Sequence, residues 1–136
     1  PPVAPPPQPV VEKVTLAADA LFKFNRSELQ DMLPEGRAKL DLLVANLKGM
    51  KQIEAIRITG HADRFGTPEY NLRLSTARAA TVAEYLSSQG LAGVRMTTEG
   101  VGATQPSVSC VGGKDAKTIA CLAPNRRVEL EIKGLK

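Results

Sequence analysis

Residues 58–79 read ITGHADRFGTPEYNLRLSTARA, and within them the chain changes from strand to helix. Ile58 ends a β-rich run that begins with Ile53, Ala55 and Ile56 and stops at Gly60. Thr67, Pro68 and Glu69 then supply an N-cap, a proline suited to the first helical position and an acid at the positive end of the helix dipole. Ser75 offers a second N-cap inside the same stretch, because Leu74 precedes it and Ala77, Val82, Tyr85 and Leu86 continue behind it until Gly90. A break or kink is therefore expected near Ser75, with Arg78 in the first turn after it.

Working toward the N-terminus, Leu40, Leu43, Val44 and Leu47 recur at helical spacing after Pro34, and Gly49 stops the pattern. Val14 and Leu16 read as strand, followed by Leu21, Phe22 and Phe24 around Asp19, with both phenylalanines expected in the core. Asn25 and Arg26 fall on an exposed turn able to line a groove. Toward the C-terminus, Val94, Met96 and Thr98 alternate before Gly100. Val128, Leu130 and Ile132 alternate with Arg127, Glu129, Glu131 and Lys133, so the last strand has one apolar and one charged face. The order β-α-β-α-β plus a final strand predicts an α/β (α+β) two-layer sandwich, with the helices packed on one face of a mixed sheet.

The chain has 136 residues, enough for one domain. Six of its ten prolines lie in residues 1–9, an uncharged stretch that favours extended polyproline II. The expected division is a proline-rich linker over 1–10 and a folded domain over 11–136, the linker holding the domain away from something N-terminal to it. No apolar stretch approaches the roughly 20 residues needed to cross a bilayer as a helix. Hydrophobic residues at 43% and charged residues at 24% exclude a wholly disordered chain. Lys and Arg number 18 against 14 Asp and Glu, and the net charge of +4 is too small for a nucleic-acid signature. Three Phe, two Tyr and no Trp leave few rings for base stacking, which also argues against nucleic acid.

Residues 102–126 form a long connection rich in Gly, Ser and Pro, and such segments are usually functional or tied down. Its Cys110 and Cys121 are the only cysteines. Their even number and shared loop predict a disulfide and an oxidising compartment. Two free thiols are the alternative. A zinc site is poorly supplied, because His61 is the only histidine.

The densest polar set is again 58–79. Arg78 and helix N–H groups would attract a carboxylate, while Asp63 in the Gly-containing turn would suit an ammonium. Together they would clamp a zwitterion, unless Asp63 and Arg78 pair with each other. His61 and Asp63 imitate part of a catalytic dyad, but no G-x-S-x-G elbow, activated cysteine or second histidine accompanies them. Gly100-Val101-Gly102 lacks the third glycine of a dinucleotide fingerprint. Arg126 and Arg127 are either a solvated basic strand end or extra positive potential beside the clamp.

The ordered set Thr59-Gly60-His61-Ala62-Asp63, Gly66, Tyr70-Asn71, Leu74-Ser75, Arg78-Ala79, Glu99-Gly100-Val101-Gly102, Pro106 and Asn125-Arg126-Arg127-Val128-Glu129 resembles the OmpA-like peptidoglycan-binding domain family. The resemblance spans about residues 12–134. It implies that Asp63 and Arg78 hold the meso-diaminopimelate of the peptidoglycan stem peptide, supported by Asn71, Asn25, Leu74 and Arg127. The free end of that residue carries both an ammonium and a carboxylate, which suits the clamp. Two positions depart from the family pattern: Ala62 replaces the usual threonine, removing a hydroxyl from the rim, and Lys23 stands where relatives often carry Asp or Asn.

The resemblance further implies a noncovalent anchor, not an enzyme, with no cofactor and no metal. The proline-rich leader and cysteine pair favour the family members whose N-terminal part is an outer-membrane β-barrel, making this a periplasmic domain that ties the outer membrane to the cell wall. The lipoprotein and flagellar-stator types of wall anchor are the alternative readings. A cell-wall amidase and a general polyanion binder are the rivals from other classes, and the oligomeric state stays open between monomer and homodimer.

Overall fold

The computed structural model describes residues 3, 6 and 8–136, so most of the expected polyproline spacer lies outside the described residues. Strand β1 spans Val10–Ala17 and runs into one helical turn, α1, at Ala18–Leu21. Helix α2 covers Pro34–Lys48, strand β2 Gln52–His61, helix α3 Pro68–Leu86 and strand β3 Met96–Gly100. A short helix, α4, at Ala116–Cys121 precedes strand β4 at Arg127–Leu135.

The four strands form one sheet in the order β1-β4-β2-β3. β2 and β3 run parallel, with α3 in the connection between them, whereas β4 pairs antiparallel with both β1 and β2. The mixed sheet and α+β layering expected from the sequence are present. Period-two alternation sends Val128, Leu130 and Ile132 of β4 into the core beside Ile56 and Ile58 of β2. They meet Leu40, Val44 and Leu47 of α2, and Ala79, Val82 and Leu86 of α3. Burying each large aliphatic side chain contributes about 1.5–3 kcal/mol, so this layer holds the helices on the sheet.

The expected break at Ser75 is absent: α3 is continuous from Pro68 to Leu86. The Ser75 hydroxyl donates to the Leu72 carbonyl at 3.1 Å and accepts the Gly102 N–H at 3.0 Å, so it caps no helix. It is buried where α3 crosses the end of the sheet. A Cβ on Gly60 would lie 2.1 Å from the Ser75 carbonyl oxygen, and one on Gly100 would lie 2.3 Å from the Thr76 nitrogen. Two strand-end glycines thus let helix backbone and sheet backbone touch.

Phe24 also differs from expectation. Phe22 is buried and bridges to Met32, but the chain then turns, with the Arg26 N–H bonded to the Lys23 carbonyl and Asn25 at φ 56°. This turn ends the strand parity that would have carried Phe24 inward, and Phe24 is 82% exposed. The long connection 102–126 contains α4, started by Asp115, whose side chain accepts the Thr118 N–H. It is closed by a Cys110–Cys121 disulfide, as the cysteine count predicted.

Candidate functional site

Beyond the C-terminal end of β2, a groove of about 400 Å³ opens between the 63–66 turn, the first half of α3, the Lys23–Arg26 turn and the disulfide-closed loop. Asp63, Arg78, Asn71, Asn25 and Leu74 all line it, so the structure brings five of the six expected contact residues together. Ala62 and Lys23, the two departures from the family pattern, line it as well.

The turn after β2 is built by its own polar groups. Asp63 Oδ1 accepts the Phe65 N–H at 3.0 Å, a local Asx arrangement. Asn71, buried on α3, donates from Nδ2 to the carbonyls of Asp63 at 3.2 Å and Phe65 at 2.9 Å. Thr67 Oγ1 accepts the Tyr70 N–H and starts α3, as its sequence position predicted. Asn71 therefore holds the acid-bearing turn against the helix.

Arg78 lies in the body of α3, so its charge works without the helix N-terminus that a cap at Ser75 would have provided. Its Nε donates to the Arg26 carbonyl at 2.8 Å and its Nη2 to the Lys23 carbonyl at 3.4 Å. The guanidinium also stands over the Phe22 ring, 5.4 Å from its centroid. Burial pulls the Arg78 pKa below its ordinary value, with the charge of Asp19 opposing that shift. Among the described residues no carboxylate forms a salt bridge with Arg78.

Asp63 does have a partner, but it is Arg126. Arg126 Nη1 donates to Asp63 Oδ2 at 2.9 Å, Nη2 to Asp19 Oδ2 at 2.9 Å, and Nη1 also to the Ile119 carbonyl at 3.0 Å. The Asp63 side chain is 13% exposed and that of Asp19 57% exposed. Burial works against the Arg126 charge, yet the hydrogen bonds from both acids prevail and raise its pKa. One arginine thus fastens the 63–66 turn, α1 and α4 to each other.

The sixth expected residue, Arg127, is not among the groove-lining residues. It begins the charged face of β4, where Nε donates to Glu129 Oε1 at 2.7 Å and Nη2 to the Gln105 carbonyl at 3.1 Å. His61 is likewise away from the groove: it is buried, with Nε2 3.4 Å from Glu129 Oε2. The sequence reading passed over Asp19, Lys114 and Ile119, which also line the groove. Lys114 and Ile119 carried no local signal, because only the folding back of the disulfide loop brings them to the groove.

A family model described as OmpA family matches residues 21–119. Outer membrane protein A of Shigella flexneri is 40% identical over 142 residues, a match that covers the whole of this chain and 40% of that protein. The chain thus spans less than half the length of that relative. Among solved structures, the cell wall anchor of the T6SS from Pseudomonas aeruginosa superposes with a TM-score of 0.70 at 28% identity, over 93% of this chain and 88% of that one. The peptidoglycan-associated lipoprotein from Burkholderia pseudomallei gives 0.63 at 29% identity, over 87% and 88% of the respective chains.

Proposed function

Because the chain belongs to the OmpA family, we propose that it binds peptidoglycan noncovalently and anchors the outer membrane to the cell wall from the periplasmic side. The groove receives the free end of meso-diaminopimelate in the stem peptide. Asp63 takes the ammonium and Arg78 the carboxylate, while Asn71, Asn25 and Leu74 shape the walls between them. Arg126 positions Asp63, and Arg127, which the resemblance implied as a supporting contact, is given no part because it does not line the groove. The reading is one of binding, and no step in it makes or breaks a covalent bond.

The observation that carries it is the separation of charge within one groove: Asp63 and Arg78 share the lining, yet neither neutralises the other. A zwitterion can therefore approach both without first breaking an ion pair between them.

The test is an NMR titration with two soluble muropeptides, one carrying meso-diaminopimelate and one carrying lysine at the same stem position. The ligands differ by one carboxylate, so shifts at Asp63, Asn71 and Arg78 with the first and much weaker ones with the second are expected. Equal responses would sink the zwitterion reading. Asp63→Ala should abolish sedimentation with sacculi while leaving the fold unchanged; a variant that sediments like the parent would count equally against it.

A further inference from the structure

The charges of the groove do not balance around a zwitterion. Lys23, Arg78, Lys114 and Arg126 line it against Asp19 and Asp63, an excess of two positive charges. The chain as a whole carries +4, so half of its net charge is concentrated here. A bound zwitterion adds one charge of each sign and leaves that excess in place. Arg126 is already engaged by two acids and the Ile119 carbonyl, and Arg78 is the partner assigned above to the ligand's first carboxylate. The surplus therefore resides on Lys23 and Lys114.

Both lysines are exposed, and neither forms a salt bridge among the described residues. They approach the groove on separate segments whose backbones are fastened. Lys23 belongs to the turn whose carbonyls accept from Arg78. Lys114 belongs to the loop closed by the disulfide, where Arg64 Nη2 donates to the carbonyls of Cys110 at 3.1 Å and Gly112 at 2.6 Å. Directly after it, Asp115 Oδ1 accepts the Thr118 N–H at 2.8 Å. Fastened backbones keep both ammonium groups within reach of the groove while leaving them free to meet a ligand from solvent.

We propose that Lys23 and Lys114 determine specificity by receiving two further carboxylates of the ligand. The groove then prefers an acidic stem peptide with free carboxyl groups over one whose carboxyls are amidated or consumed in cross-links. This rests on the reading of the groove as a diaminopimelate site. Each contact is a solvent-exposed ion pair, for which about a threefold gain in affinity is the scale, decreasing as salt rises.

Calorimetric titration of the full chain with two disaccharide peptides tests this. Both ligands keep the free diaminopimelate end; one has its other carboxyls free and the other has them amidated. The parent should prefer the free acid by about tenfold, Lys23→Gln and Lys114→Gln should each remove about threefold of that preference, and the double variant should bind both ligands alike. Thermal melts of the variants, expected to match the parent because both side chains are exposed, verify the fold. A preference that survives the double substitution, or an equal loss for both ligands, overturns the proposal and leaves the diaminopimelate reading standing. Failure of both ligands to bind the parent overturns the two together.

Discussion

Arg126 holds Asp63 through an Nη1 to Oδ2 contact of 2.9 Å, at a sequence separation of 63 positions. The same guanidinium reaches Asp19, but that acid is largely in solvent whereas Asp63 is mostly buried.

Arg126→Gln should therefore cost about 1–3 kcal/mol, because it leaves a mostly buried carboxylate without its charged partner. Asp19→Asn, which removes the exposed end of the network, should cost less than about 1 kcal/mol. Urea unfolding of the two variants compares them, and equal costs would refute the view that Asp63 is the partner that matters.

Gly60→Ala should destabilise by about 3 kcal/mol or more. Its Cβ would fall 2.1 Å from the Ser75 carbonyl oxygen and 2.8 Å from the carbonyl carbon, backbone atoms that cannot rotate aside. Gly93→Ala is the control, since a Cβ there meets nothing within 4 Å. Thermal melts should separate the two sharply.

Replacing Cys110 and Cys121 together by serine should remove about 2–3 kcal/mol in the chain-entropy picture. The loss should be local. Amide exchange should accelerate through the loop carrying Lys114 and Ile119 and stay unchanged in β2 and β4, where the apolar core is continuous. Acceleration spread evenly over the sheet would show instead that the loop is part of the global unit.

Stability should fall as the pH drops below about 6.5. Burial, reinforced by the charge of Arg127, pushes the His61 pKa below its ordinary value of 6.5 despite the nearby Glu129. The unfolded chain then binds a proton before the folded one, so the stability His61 contributes is complete above pH 6.5 and drains away as pH falls through the folded pKa. Glu129, held below the usual carboxylate range by its hydrogen bond from Arg127, acts in the same direction at lower pH. His61→Leu should flatten the upper part of this profile in melts between pH 5 and 8. A variant that tracks the parent across that range would exclude His61 as the cause.

The early half of α3 explains one misreading. Its buried positions are Asn71, Ser75 and Arg78, and its apolar ones, Ala79, Val82 and Leu86, come later. Apolar periodicity alone therefore starts the helix too late and makes Ser75 look like a cap. Those polar residues are buried because they pack against turns, carbonyls and glycine backbone at the sheet's end. The choice between Arg126 and Arg127 was closer to hand: Arg127 shares the charged face of β4 with Glu129, Glu131 and Lys133, so parity directs it away from the helices.

Strand alternation, helix caps and the cysteine count are local or compositional signals, and the sequence alone was enough for the mixed sheet, the helix start at Thr67 and the disulfide. It also marked Asp63 and Arg78 as opposite charges near one strand-to-helix turn. Only the tertiary structure decided that Arg126, not Arg78, takes the acid, that Phe24 turns outward, and that Lys114 joins the groove. Local patterns follow backbone geometry over a few residues, whereas salt-bridge partners are set by which distant segments the packed core brings within about 4 Å of one another.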